Sequence, residues 1–234
     1  MLSVENLEAY YGTNYIVQQI SLHIPEGKGV ALLGRNGAGK TTTLKAIMGM
    51  GPKIKGAVNF KGRDITNCKT YQKARMGLGF VPEDRRIYQE LSVTDNLAVG
   101  RYATAGRTEP FAMEYVLETF PLLMKLRNRK GGQLSGGEQQ MLTVARTFMG
   151  RPELVLMDEP AEGLAPLIVK ELAMVIRGFC QKWNMAILLA EQNLWFSRYC
   201  TEYVYLIDGG KIVFKGSWDD FDDQEDIKRK YLSV

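Results

Sequence analysis

The chain has 234 residues, of which 45% are hydrophobic and 24% are charged, the composition of a globular protein that can bury a core of its own. Its 30 Lys and Arg residues against 26 Asp and Glu residues leave a net charge of +4. That excess is too small for the concentrated basic surface of a dedicated DNA-binding protein, so we expect no nucleic-acid partner.

The sequence shows neither an export signal nor a cysteine pattern typical of a metal site. Its first residues lack the basic and then apolar order of a secretory signal, and no apolar run approaches the roughly 20 residues that span a bilayer. Cys68, Cys180 and Cys200 are widely separated, with His23 as the only histidine. We therefore expect reduced structural thiols in a cytosolic protein that reaches a membrane only through a partner.

The chain opens with alternating apolar and polar residues. This pattern runs over residues 2–24 around turn signals at Gly12 and Asn14. Such alternation is typical of antiparallel strands with one face on a core. We expect antiparallel strands packed against a larger sheet, with His23 partly exposed on one of them.

The next motif is a glycine-rich loop, GRNGAGKTT, from Gly34 to Thr42. It fits G-x-x-x-x-G-K-[ST] and lies between an apolar run at 29–33 and a helical segment that begins at Lys40. Its glycines let consecutive backbone N–H groups converge on phosphate oxygens at the positive end of the helix. Lys40 is predicted to reach the β- and γ-phosphates, and Thr41 to hold Mg²⁺. The residues predicted to bind nucleotide here are Gly34, Asn36, Gly37, Gly39, Lys40, Thr41 and Thr42.

Strand-like runs are missing between residues 92 and 149. Segments 95–100, 111–126 and 136–149 are each predicted to be helical. Because short apolar runs resume at 154–157 and 186–190, followed by helices from about Pro166 and about Asn193, the surrounding chain has the alternation of an α/β fold with a buried parallel sheet. We expect a single domain over 1–234, with a core of 1–91 and 150–234 and a helical subdomain of 92–149.

The last of these helices begins with LSGGEQQ. Ser135 and Glu138 form an S-x-x-E capping box, which is a sufficient structural explanation for both. The two glycines after the serine are poor helix formers, and they leave backbone N–H groups bare at the helix N-terminus. Ser135, Gly136 and Gly137 are therefore predicted to form a second phosphate-binding helix start.

Two carboxylates, Asp158 and Glu159, end the apolar run at 154–157. They fall at the carboxyl edge of the sheet, where open α/β sheets bind ligands. Asp158 can accept the Mg²⁺ shell, while Glu159 can orient or deprotonate a water aimed at the γ-phosphate. An acidic strand end is common by itself, but together with the phosphate loop it predicts nucleotide hydrolysis.

LSGGEQQ, lying about twenty residues before LVLMDE and after GRNGAGKTT, resembles the signature of the ATP-binding-cassette ATPases over essentially the whole chain. The resemblance implies an α/β P-loop NTPase (RecA-like) core with an antiparallel β subdomain and an inserted α-helical subdomain. It implies that two cassettes pair head to tail, so that Ser135 and Gly137 of one complete the ATP site built on Lys40 of the other. It also implies that Tyr11 stacks on adenine; the alternative is that Tyr11 is only a packed strand aromatic.

Three departures from the usual family pattern indicate which group within the family the chain resembles. Glu83, in VPEDRR, stands where the family usually has a glutamine; EGLAP replaces the common interface loop; and Gln192, in AEQN, stands where most cassettes have a histidine. This set is similar to the shorter ATPase of importers for branched-chain amino acids, urea, short amides or aromatic acids. Such a subunit works at the cytoplasmic face of the membrane with a second cassette, two permease subunits and a substrate-binding protein.

The departures also have chemical consequences. Glu83 adds a carboxylate that can bind Mg²⁺ or its waters. Gln192 can donate a hydrogen bond to a γ-phosphate oxygen but cannot carry a proton near neutral pH. We therefore expect Gln192 to act as a neutral clamp and Glu159 as the base. We also expect residues 83–91 to meet the permease, with Arg85, Arg86 and Tyr88 as candidate contacts.

Other functions compete with this interpretation. A non-transport cassette of DNA repair or translation generally carries a long coiled-coil insertion or a second cassette, for which 234 residues leave no room. A P-loop kinase has no use for LSGGEQQ, and a GTPase would need an N-K-x-D motif. A regulatory cassette with weak hydrolysis stays open because two motif positions differ. The transported solute and the identity of the second cassette are not encoded in these motifs.

Overall fold

Two β-sheets organise the fold in the computed structural model, which describes residues 1–103 and 108–232. The strands are β1 Leu2–Tyr11, β2 Asn14–Ile24, β3 Gly29–Leu33, β4 Lys53–Phe60, β5 Arg63–Asp64, β6 Leu78–Val81, β7 Leu154–Asp158, β8 Ala186–Glu191, β9 Tyr203–Asp208 and β10 Lys211–Ser217. The helices are α1 Lys40–Met48, α2 Thr70–Arg75, α3 Val93–Gly100, α4 Met113–Thr119, α5 Pro121–Lys125, α6 Gly136–Met149, α7 Pro166–Trp183, α8 Leu194–Cys200, α9 Trp218–Asp222 and α10 Glu225–Leu232.

The smaller sheet is antiparallel, with the order β2-β1-β4-β5. β1 and β2 form a hairpin in which Tyr11 pairs with Asn14 across a turn at Gly12, whose φ of 60° suits glycine. His23 is exposed on β2, as expected. The alternation in residues 2–24 therefore predicted this hairpin, whereas β4 and β5 were not predicted.

The larger sheet has the order β10-β9-β3-β8-β7-β6. β3, β7 and β8 are buried along their whole length, which is why they read as continuous apolar runs. Neighbouring strands from β9 to β6 run parallel, and β10 turns back antiparallel to β9. The register pairs Leu33 with Glu191 and Asp158 with Ala190. The ends of β3, β7 and β8 consequently open at one edge of the sheet.

The central strands divide their side chains between two hydrophobic cores. Leu154 and Leu156 of β7 pack with α1 and the antiparallel sheet. Val155 and Met157 point to the other face, where they pack with α6 and α7. Both faces of the sheet are thus covered, so its edge is the accessible part for a ligand.

The helical subdomain contains α3, α4, α5 and α6. The prediction of one continuous helix over 111–126 is wrong, because the chain breaks at Phe120, with φ −117° and ψ 75°. Pro121 follows, and a residue before proline is sterically driven out of the α-region. The segment therefore forms the two short helices α4 and α5.

An aromatic cluster joins this subdomain to α7. It consists of Phe111, Tyr115, Phe179 and Trp183, whose neighbouring ring centroids lie 4.6 to 5.9 Å apart. The Trp183 indole N–H donates to the Tyr115 hydroxyl at 2.7 Å. None of the helices within residues 1–103 and 108–232 has both the length and the apolar composition that crossing a membrane requires.

Candidate nucleotide-binding site

The glycine-rich loop connects β3 to α1, as its motif predicts. Gly37 and Gly39 have φ of 79° and 112°, a region that favours glycine. The first turn of α1 contains no acidic residue, and Gly39 supplies no side-chain cap. The positive end of α1 is therefore arranged to receive an anion on its backbone N–H groups.

A cavity of about 420 Å³ opens in front of this loop. Its lining residues come from the phosphate loop, β2, the segment after β6 and the loop after β7. They are Ile16, Asn36, Gly37, Gly39, Lys40, Thr41, Thr42, Glu83, Glu159 and Glu162. Most of the predicted phosphate and catalytic residues therefore lie in one place; Gly34 lies just behind the loop, and its carbonyl accepts a hydrogen bond from Lys40.

Lys40 is the central cation of the cavity and is only 3% exposed. Its Nζ lies 2.9 Å from Oε1 of Glu159 and donates to the carbonyls of Gly34 and Arg35 at 2.7 and 3.1 Å. Burial favours the neutral form of Glu159, but the hydrogen bonds and charge of Lys40 and the hydrogen bond of Gln192 outweigh it. The pKa of Glu159 consequently lies below its ordinary value.

Glu159 occupies a strained backbone position. Its φ of 45° is in the left-handed region, which costs a non-glycine residue about 1 kcal/mol and is found mainly at functional sites. Its backbone N–H donates to the carbonyl of Ala190 at 2.9 Å. Gln192 reaches the same carboxylate, because its Nε2 donates to Oε2 of Glu159 at 3.0 Å and to Oδ1 of Asn36 at 2.7 Å. The predicted base and the predicted clamp are therefore in direct contact.

The predicted metal ligands converge on one side of the cavity. Thr41 Oγ1 donates to Oδ1 of Asp158 at 2.9 Å, and Asp158 is only 1% exposed. Burial raises the pKa of Asp158 to about 6, and the charge of Glu83 adds to the shift. A buried carboxylate of this kind gains from a nearby divalent cation, and an oxygen-only donor set suits Mg²⁺.

Within the part of the chain that the structure describes, no three His, Cys, Asp or Glu side chains come together to hold a metal by themselves. Mg²⁺ usually takes one or two carboxylates from a protein and completes its shell with water and substrate phosphates.

Two carboxylates in or beside the site were not predicted as site residues. Glu162 lines the cavity, and its hydrogen bond to Glu159, followed by partial burial, raises its pKa. Glu191, at the end of β8, is 2% exposed and accepts three backbone N–H groups. Both residues were visible in the sequence as acids in EGLAP and AEQN. Glu162 lies only three residues from its partner Glu159, whereas the contact of Glu191 with the Ala161 N–H spans 30 residues and depends on the fold.

Tyr11 and the signature residues do not line this cavity. Tyr11 ends β1, is 41% exposed, and its ring approaches Gly51. Ser135 caps α6: its Oγ accepts from the N–H of Glu138 at 3.4 Å, while its own N–H donates to Glu138 Oε2 at 2.6 Å. The capping box is confirmed. One copy of the chain does not bring its two glycine-rich helix starts together.

A second cavity, of about 380 Å³, lies between β6, α3 and α6. Arg86 and Tyr88 line it with apolar side chains that include Met48, Phe80 and Val99. Arg85 is placed differently: its guanidinium lies against Gly136, and its carbonyl accepts from Thr143 Oγ1 at 2.9 Å. Of the three predicted docking residues, two therefore line this groove.

The chain is similar to known proteins in both sequence and fold. A family model described as "ABC transporter" matches residues 17–162. The chain is 34% identical to the high-affinity branched-chain amino acid transport ATP-binding protein BraG of Pseudomonas aeruginosa, over 91% of each chain. It is 31% identical to the lipopolysaccharide export system ATP-binding protein LptB of Acidithiobacillus ferridurans, over 99% of this chain and 96% of that protein.

Its fold is also that of a solved dimeric bacterial ABC transporter cassette, with a TM-score of 0.80 and 19% identity, covering 93% of this chain and 98% of that one.

Proposed function

The chain belongs to the ABC transporter family as an ATPase subunit, and from that premise we propose that it powers import of a branched-chain or other hydrophobic amino acid, or of a related small polar solute. One observation carries the hydrolytic part. Lys40 at the start of α1, Glu159 after β7 and Gln192 after β8 meet at one edge of the sheet in a single contact network. The similarity to BraG, together with Glu83, EGLAP and Gln192, supports import.

The contacts suggest how hydrolysis proceeds. ATP phosphates bind the N–H groups at the start of α1 and draw Lys40 away from the Glu159 carboxylate. Glu159 then accepts a proton from a water whose oxygen bonds to the γ-phosphorus, while the bond to the β-phosphate oxygen breaks. Gln192 keeps its hydrogen bond to Glu159 and turns its second N–H from Asn36 to the γ-phosphate, without exchanging a proton. Mg²⁺, held by Thr41, Asp158 and Glu83, would neutralise charge on the phosphates.

A second cassette would complete the site. Ser135, Gly136 and Gly137 lie outside the cavity of their own chain, so they are free to meet the ATP of a head-to-tail partner. Tyr11 would then face the adenine from its own chain, since it is exposed at the end of β1. The partner is either an identical copy or a different cassette.

The permease would dock at the second cavity. The groove there combines apolar side chains with Arg86 and Tyr88, a composition that suits a short segment of a membrane subunit. The chain would then lie on the cytoplasmic face of the membrane, bound through two permease subunits, and a substrate-binding protein would act on their other side. When the groove moves, the helical subdomain of residues 92–149 would move with it and carry Ser135, Gly136 and Gly137 toward the second cassette.

Lipopolysaccharide export is the second candidate. It is favoured by the LptB relative, which matches 99% of this chain. Import and export cassettes use the same phosphate chemistry, so the site alone does not separate them.

The hydrolytic proposal is tested with Glu159→Gln, assayed in the complex purified from membranes. Turnover is expected to fall at least about 100-fold while ATP binding is kept, because the amide cannot accept the water proton. Full turnover in this variant would refute Glu159 as the base.

The transport proposal is tested by uptake of radiolabelled leucine in cells that lack the gene. The wild-type chain should restore uptake and Lys40→Ala should not. Normal uptake without the gene, together with an altered outer-membrane lipopolysaccharide content, would favour export.

A further inference from the structure

The polar end of β8 contains a buried carboxylate for which the proposed reaction has no use. Glu191 follows five apolar residues and is 2% exposed. Its Oε1 accepts from the backbone N–H of Ala161 at 2.8 Å, and its Oε2 accepts from those of Gln192 and Asn193 at 3.0 and 3.1 Å. One side chain therefore joins two loops that are 30 residues apart in sequence.

Each of these loops carries a residue of the proposed hydrolysis. Ala161 lies two residues after Glu159, in a turn that is closed by a hydrogen bond from the Glu162 N–H to the Glu159 carbonyl at 3.2 Å. Glu159 itself is held at a φ of 45°, so something must fix the turn around it. On its other side, Glu191 fixes the backbone of Gln192, whose side chain contacts the Glu159 carboxylate.

From this arrangement we propose that Glu191 is a positioning residue, which locks the turn carrying Glu159 and the backbone of Gln192 into one unit. The inference rests on the proposed hydrolytic function. Glu191 is not among the residues that line the phosphate cavity, so it acts through its neighbours and touches no reacting atom.

A carboxylate suits this role better than the amide next to it. It only accepts hydrogen bonds and has two oxygens, which matches three converging N–H donors. Glutamine at this position would turn its own NH₂ group toward one or two of those donors, leaving buried N–H groups without an acceptor. Burial also raises the pKa of Glu191, which the three backbone hydrogen bonds oppose.

Loss of the Glu191 carboxylate should affect ATP binding and ATP hydrolysis differently. The hydrogen bonds of Lys40 to the Gly34 and Arg35 carbonyls and the backbone N–H groups of the phosphate loop do not depend on Glu191. ATP affinity should therefore survive while the alignment of Glu159 and Gln192 suffers. A misplacement of about 1 Å can cost roughly 100-fold in rate.

The experiment measures kcat, KM and nucleotide Kd of Glu191→Gln in the assembled transporter. We expect kcat to fall about 10- to 100-fold with Kd within about 3-fold of wild type. Glu191→Asp keeps the charge but shortens the side chain, so its kcat should lie between that of wild type and that of Glu191→Gln. In the Glu159→Gln background, Glu191→Gln should cause no further loss, because both act on the same step.

Glu202→Gln is the matched control. Glu202 also accepts a backbone N–H, that of Gly29 at 2.6 Å, but at the start of β3, the opposite edge of the sheet. Glu202 is exposed, whereas Glu191 is buried, so this variant reports only the cost of losing a backbone-bound carboxylate away from the site, and its kcat should stay within about 2-fold of wild type.

Unchanged kcat in Glu191→Gln, or losses of kcat and affinity in parallel, would overturn the inference. An additive loss in the Glu159→Gln background would do the same. If Glu191→Gln fails to fold, the decision passes to Glu191→Asp with the same readouts. If the wild-type complex hydrolyses no ATP, the proposed function fails; if it is active and Glu159→Gln is inactive, only the role of Glu191 is at issue.

Discussion

The chain contains two glycine-rich helix starts that look alike in sequence and differ in how their ends are satisfied. α1 begins after Gly39 with no side-chain cap and no acidic residue in its first turn, and its first residue is Lys40. α6 begins after Ser135 with a complete capping box, and Glu138 places a carboxylate in its first turn. The two starts therefore differ in which N–H groups are already bound: the capping box of α6 uses those of Ser135 and Glu138 and not those of Gly136 and Gly137, whereas the start of α1 has no side-chain cap.

The two ends also differ in how much buried charge surrounds them. The start of α1 is surrounded by buried charge, with Lys40 and Glu159 paired and Asp158 beside them. Desolvating such groups costs free energy, which bound nucleotide can offset. The capping box of α6 stabilises its helix without a ligand. The phosphate loop is thus organised for binding, and the signature helix is stable before its partner arrives.

Among the substitutions at the two helix starts, Lys40→Ala should cause the largest loss of ATP turnover. It removes the cation that meets the phosphates and leaves the Glu159 carboxylate without its ion-pair partner. ATP turnover should fall about 1000-fold. Lys125→Ala, at the end of α5, is the control and should keep wild-type activity. Turnover within a factor of about ten of wild type in Lys40→Ala would contradict the role given to this lysine.

Asp158→Asn should show the cost of buried charge. The pKa of Asp158 is raised from an ordinary 3.8 to about 6, so the folded state holds its proton more tightly than the unfolded state. Its contribution to stability is present below pH 4 or so and is lost as the pH rises to about 6, a change of about 3 kcal/mol.

At pH 8, in nucleotide-free buffer with a chelator, Asp158→Asn should therefore be more stable than wild type by up to about 3 kcal/mol, less the weakened hydrogen bond of Thr41. Urea unfolding at several pH values measures this difference. A variant less stable than wild type at pH 8 would show that burial does not dominate at Asp158.

Ser135→Ala tests the other helix start, and Ser92→Ala is its matched control. Ser92 caps α3 by accepting from the N–H of Asp95 at 3.0 Å, as Ser135 caps α6. Each substitution should destabilise the protein by about 1 kcal/mol. Only Ser135→Ala should also lower ATP turnover, on the order of 10-fold, because only that cap is proposed to meet a partner's nucleotide. If the two variants had equal ATP turnover, Ser135 would not be part of the proposed ATP site.

Gln192→Ala should have the smallest effect. It removes the hydrogen bonds to Glu159 and Asn36 but no charge, so turnover should fall about 5-fold. Gln19→Ala removes a comparable amide contact with Glu8 on the antiparallel sheet and should leave turnover unchanged. If turnover and nucleotide affinity both stayed at wild-type values in Gln192→Ala, the clamp would be ruled out.

Local signals in the sequence predicted much of this molecule. The strand ends at Leu33, Asp158 and Glu191 were visible as apolar runs that stop on glycine or acid, and their convergence followed from parallel strands. The break at Phe120 was also encoded locally, in Pro121, but helical periodicity on both sides obscured it.

Contacts between distant residues could not be predicted in this way. The hydrogen bond from the Ala161 N–H to Glu191 depends on how β7 and β8 pair, and the contact of Arg85 with Gly136 depends on how α6 packs on the segment after β6. β10 was missed because its half-buried pattern has no long apolar run. The placement of Ser135 opposite a phosphate loop involves a second subunit and remains a prediction.

The aromatic cluster between α4 and α7 gives the molecule a built-in optical signal. The Trp183 indole lies where the helical subdomain meets the core, hydrogen-bonded to Tyr115 and in contact with Phe111. Trp218 instead donates to Thr201, away from that junction. Because indole emission depends on the polarity and hydrogen bonding around the ring, a rotation of the subdomain would change the emission of Trp183, which is observed alone once Trp195 and Trp218 are replaced by phenylalanine. A movement on nucleotide binding would then be followed without attaching a dye.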